Sequence, residues 1–129
     1  MPDYRLTLDQ LEGKEWPAPE FKSALTLQCY SLRHKPLVEF TPDELRVMIG
    51  QEIGLEYLVP MAIRVLRSTP LIEATYYEGD LLSNVCLAPV AYWESHEKER
   101  IEVHHIIDAI LEMPAEARDT VKRFREKAA

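Results

Sequence analysis

Glycine is scarce here, with four in 129 residues, too few for a loop whose backbone amides would cradle a phosphate. The closest candidate, Gly50-Gln51-Glu52-Ile53-Gly54, puts an acid where an anion would be repelled. Cysteine is nearly as rare. Cys29 and Cys86 stand far apart in apolar company, which suits buried, reduced thiols of a cytosolic protein better than a disulfide framework, with one bridge between them as the alternative. Neither has a histidine nearby, and a thiol on an apolar stripe stays protonated, so neither reads as a nucleophile. Long apolar runs are missing too. The longest, Val85 to Trp93, is half of the roughly 18 residues that suggest a membrane span, and the opening MPDYRLTLDQ lacks the apolar core of a secretory signal. The expectation is a soluble, uncleaved, cytoplasmic protein.

Positive charge is also in deficit. Fifteen basic against twenty-two acidic residues give a formal net charge of −7, whereas nucleic-acid contacts need clustered Lys and Arg. A basic partner is the natural alternative. From Glu73 to Glu102 there are seven acids and two bases, while Ala115 to Ala129 has five bases and three acids. Such unevenness describes either a solvated face or a partner-facing patch.

What is present is helical patterning, most complete from Phe40 to Ser68. Thr41 can cap, Pro42 suits the first helical position, and Glu44 closes a capping box. Leu45, Met48, Ile49 and Ile53 follow at helical steps, and Leu55, Leu58, Val59, Ala62, Ile63 and Leu66 do so again after Gly54. Two packed helices joined at the glycine pair follow. Pro60 would leave the Glu56 carbonyl without its usual donor, so a short turn from Leu55 to Leu58 ahead of the helix proper is expected.

Elsewhere, Thr7 and Gln10 open a short helix, LDQLE, that Gly13 stops, and Trp16 anchors an extended Pro17-Ala18-Pro19 connector. Phe21, Ala24, Leu25, Cys29 and Leu32 predict a helix from Glu20 to His34. Leu71 to Tyr77 has β-propensity but no partner strand, and reads as extended loop. Asp80 caps a helix through Leu81, Leu82, Val85 and Cys86, with a further turn after Pro89 through Trp93. Val103, Ile106, Ile107, Ile110 and Leu111 predict a helix from Glu99 to Glu112, and Ala115 to Lys127 a weakly amphipathic last one. No two alternating runs flank a hairpin turn. The fold class is all-α: a single compact domain, 1–129, of six to seven helices around a central αα-hairpin.

No cofactor signature and no catalytic constellation stand out. His104 and Asp108 lie four apart with His105 adjacent and His96 upstream, but HEXXH is absent and no cysteine pair has zinc spacing. Asp43-Glu44 is explained by the helix start it occupies. The more informative set is Glu73, Tyr76, Tyr77, Glu78, Trp93, Glu94 and Glu97, because aromatics beside acids in the most negative window are what an interface for a basic partner would use. The competing explanation is that Tyr76 and Trp93 close the core.

Three stretches, LTLDQLEGKEW, RHKPLVEFTPDELRVMIGQEIGLEYLVPMAIRVL and TPLIEATYYEGDLL, resemble the immunity proteins of bacterial contact-dependent growth inhibition systems. The likeness runs from Leu6 to Leu82, is densest around Ile49-Gly50-Gln51 and Gly54 to Pro60, and thins after Pro89. It implies a non-enzymatic protein that binds the toxic C-terminal domain delivered by a neighbouring cell. Many such toxins are nucleases with basic clefts, which the acidic composition fits. The shared motifs are scaffold, a cap and glycine turns among apolar stripes, and carry no contact residue with them. Two other classes stand beside this one: a small enzyme or metal-dependent regulator using His96, His104 and His105, and a structural subunit assembling with its own copies.

Overall fold

The computed structural model describes residues 2–129. Among them are eight α-helices, α1 (Leu8–Glu12), α2 (Ala24–Leu32), α3 (Pro42–Gly50), α4 (Leu55–Ser68), α5 (Asp80–Cys86), α6 (Val90–Ser95), α7 (Glu97–Asp108) and α8 (Ala115–Lys127), with a 3-10 turn at Leu37–Glu39 and no strand. The all-α class is as expected, with one helix more than the upper count.

The α3–α4 hairpin is the centre. Thr41 Oγ1 accepts from the Glu44 amide at 3.2 Å and Glu44 Oε1 from the Thr41 amide at 2.9 Å, so the capping box is formed in both directions. Gly54 starts α4 in the left-handed region at φ 66°, and its missing Cβ makes room for Leu8: a methyl there would stand 2.8 Å from Leu8 Cδ2. Leu8 itself is fully buried. The turn thus fixes both the hairpin and the seat of α1. On the other side α5 packs against α3 and α8, and α7 lies along α4 with α6 beside it. Leu45, Met48, Ile49, Leu58, Ile63, Leu66, Leu81, Leu82 and Val103 form the middle of the core, each at most 2 % exposed.

Four sequence expectations are corrected. Helix α4 runs unbroken from Leu55 to Ser68 with Pro60 inside it. The Tyr57 and Leu58 amides bond to the Gly54 carbonyl at 3.0 and 2.9 Å, starting the helix upstream of the proline, and the orphaned Glu56 carbonyl belongs to an exposed residue that water can reach. Helix α2 is shorter than the stripe suggested. Ser23 and Thr26 form its capping box, so Phe21 lies before the cap and is 79 % exposed, and Leu25 faces largely outward. Helix α7 begins at Glu97 and stops at Asp108, leaving Leu111 wholly in solvent ahead of Pro114. The last helix is better patterned than its composition suggested, with Ala117, Val121 and Phe124 buried along one face.

Both cysteines are free and buried. Burial pushes the Cys86 thiol up to about 12 and raises that of Cys29, so both remain protonated and inert.

Candidate partner-binding surface

The segment between α4 and α5 holds no strand, as expected, but it is a series of turns and bends rather than an extended loop, and a single buried carboxylate organises it. Asp80, 2 % exposed, accepts from the backbone amides of Ala74 at 2.7 Å, Thr75 at 2.9 Å and Tyr76 at 2.8 Å. Burial opposes the charged form, but these donors outweigh it and hold the carboxyl below its usual range. From the sequence Asp80 is expected to cap α5. Gly79, at φ 92°, occupies that position instead, and the Asp80 side chain turns back to close the loop before the helix.

The closed loop presents Tyr76, which is 74 % exposed. The Arg46 guanidinium of α3 lies 4.6 Å from its ring centroid, within cation–π range. Arg46 is itself held: Nη2 donates to Asp43 Oδ1 at 2.9 Å, Nε to Thr75 Oγ1 at 3.2 Å, and the Thr75 hydroxyl donates to the same Asp43 oxygen. Asn84 Nδ2 donates to the Arg46 carbonyl at 2.8 Å and fills the space where a Cβ at Gly50 would lie. Leu25 and Gln28 of α2 line one groove with these residues, as do Gly50 and Gln51.

The predicted set does not converge on one place. Glu73 and Glu78 are exposed on the loop beside Tyr76, and Tyr77 is half-buried against the core. Glu94 and Glu97 are exposed but line a different groove, shared with Arg100, Lys127 and the C-terminal Ala129. There Arg100 pairs with Glu97 at 3.6 Å, so the negative charge is partly offset. Trp93 is a correction. It is 1 % exposed, edge-on to Phe124 at 5.2 Å and to Tyr92 at 5.0 Å, and belongs to the core rather than the surface. Its indole buries a large apolar area against these two rings, which outweighs any gain from facing solvent.

The histidines are held apart by separate duties. His96 stacks on Tyr92 and its Nε2 lies 2.7 Å from Glu56, while His104 stacks on Phe124 with Nε2 2.6 Å from the Ala128 carbonyl. His105 is exposed. Among the described residues no three His, Cys, Asp or Glu side chains converge as a metal site would require.

The charged groups that sequence reading missed are arginines. Arg33, at 1 % exposure, pairs with Asp9 at 2.6 Å and with Glu12 at 2.5 Å, and Trp16 lies over its guanidinium at 4.5 Å. Trp16 therefore does anchor its connector, through a cation that the stripe of α2 gave no sign of. Nothing local marks Arg33, whose partner Asp9 comes from a distant segment, and Asp43 three residues before Arg46 gives no sign of the Tyr76 ring that Arg46 braces.

The arrangement offers a restrained, exposed aromatic on an acidic loop. A family model described as CDI immunity proteins matches residues 10–103, more than half of the chain. The chain belongs to the CDI immunity protein family. The match extends beyond the likeness noted from Leu6 to Leu82, through α5 and α6 into α7, and so takes in both acidic groups. No curated protein matches the chain. Among the described residues no helix is long and apolar enough to cross a membrane.

Proposed function

We propose that this CDI immunity protein acts in the cytoplasm by binding the C-terminal toxin domain of a contact-dependent inhibitor and blocking it by occupancy, without catalysis, as one domain spanning 1–129. The family match carries this reading. The charge distribution supports a toxin with a basic face. From Leu71 to Glu97 the chain exposes Glu73, Glu78, Glu94 and Glu97 and holds no lysine or arginine, and exposed negative charge favours rapid encounter with a positive surface. A nuclease with its substrate cleft exposed is the partner class that fits. The acids and Tyr76 would take the place of nucleic acid, not bind it.

The test is co-expression with the toxin domain encoded beside this chain's gene. Growth is restored by the wild-type chain, and the two proteins co-elute on sizing as a complex whose association slows as salt rises. Continued growth arrest with both proteins present, and separate elution, would overturn the reading.

A further inference from the structure

We infer that the toxin-binding surface is centred on Tyr76 and the groove between α2 and α3, with Arg46 and Asp80 as positioning residues and the Glu94/Glu97 face outside the central contact. This rests on the immunity reading above and narrows it to one surface.

Three observations point to the same place. The first is preorganisation. Tyr76 is an exposed aromatic whose backbone amide is tied to Asp80 at 2.8 Å and whose ring is braced by Arg46 at 4.6 Å. An exposed tyrosine so restrained loses little further freedom on binding, which is the property that makes such residues interface anchors. The restraint is costly to explain as scaffold, because the ring it steadies contributes little to the core.

The second is apolar exposure next to it. Leu25, which lines the same groove as Tyr76, is 42 % exposed. A helix burying only Cys29 and Leu32 among its apolar residues leaves apolar surface for another molecule to cover.

The third is charge, which identifies the occupant. Glu73 and Glu78 flank Tyr76 in the open, and the groove's arginine is already neutralised by Asp43 at 2.9 Å. The surface therefore favours a partner segment pairing apolar or aromatic contact with lysine or arginine, as a basic toxin face would provide. At the other acidic group Arg100 and Lys127 share the groove, which weakens its draw on a basic partner. The face of Tyr76 not covered by Arg46 is open for a second cation or for stacking.

The experiment measures affinity of the full chain for the purified toxin domain encoded beside it, comparing wild type with Tyr76→Ala, Leu25→Lys and the Glu73→Lys/Glu78→Lys pair, and maps amide hydrogen exchange of wild type with and without toxin. Thermal melts accompany each variant; all four positions are exposed. The expected result is at least a tenfold rise in Kd for Tyr76→Ala, with toxin-dependent protection at residues 73–78 and 24–28. Wild-type affinity in all three variants, or protection confined to the α6–α7 junction, would overturn the inference and leave the immunity reading standing. Absence of binding by the wild type would overturn both.

Discussion

Arg33 Nε donates to Asp9 Oδ1 at 2.6 Å, with both side chains almost entirely out of water. The pair ties the C-terminal cap of α2 to α1, and the Asp9 amide bonds in turn to the Arg33 carbonyl at 3.3 Å. An N-terminal helix of five residues is too short to hold by helix formation alone; Leu8 and this ion pair dock it. Arg33→Ala is expected to lower stability by roughly 3 to 5 kcal/mol, because it strands a buried carboxylate. Asp9→Leu combined with Arg33→Met should recover much of that loss. Urea melts of the two variants decide the matter, and equal loss in both would show that packing of α1, not the charge pair, holds the segment.

The hairpin core gives a second prediction. Leu58 and Leu66 are fully buried on α4, so truncating either to alanine should cost about 2 to 5 kcal/mol. Chemical denaturation reads this directly. A loss below about 1 kcal/mol at both positions would contradict the burial of this face.

His96 sets a pH dependence whose sign follows from its contacts. Burial disfavours the imidazolium, but Nδ1 donating to the Tyr92 carbonyl at 2.7 Å and Nε2 donating to Glu56 at 2.7 Å outweigh it, raising the group above its ordinary 6.5. A group raised in the folded state contributes its full stabilisation below the unfolded value and loses it as pH rises through the folded one. Thermal stability should therefore fall as pH increases from 6 upward through the neutral range. His96→Asn should flatten that slope; a variant with the wild-type slope would assign the dependence to another group.

Reversal of charge on the α6–α7 face separates steering from contact. Glu94→Lys with Glu97→Lys should slow association with the toxin domain roughly two- to fivefold at low salt and leave dissociation unchanged, since long-range attraction acts on encounter. Stopped-flow mixing at two salt concentrations distinguishes the cases. A large rise in the dissociation rate would place these two acids inside the contact.

Helix positions and the central hairpin were legible because their causes are local. Thr7, Thr41 and the glycines at 13 and 54 specify starts and stops within a few residues, and a stripe at helical spacing declares its buried face. The same logic explains the misreadings. Phe21 and Leu25 fit a helical stripe, yet whether a stripe meets a neighbour depends on which helix is available, and α2 has only part of one face covered.

The surface was less readable than the scaffold. Glu73, Tyr76, Tyr77 and Glu78 could be singled out from composition, and they do share one loop, but Trp93 was grouped with them because an aromatic beside acids looks alike whether it faces out or in. Local sequence carries capping, periodicity and charge balance, since each is settled between residues a turn or two apart. Which aromatic stays in solvent, and which arginine is steered into Asp9 or onto Tyr76, depends on side chains dozens of residues away converging in three dimensions. Asp80 shows the division within a single residue: an acid at the start of α5 was readable, but its carboxylate, 2 % exposed, had to find its donors within the protein and took the Ala74, Thr75 and Tyr76 amides.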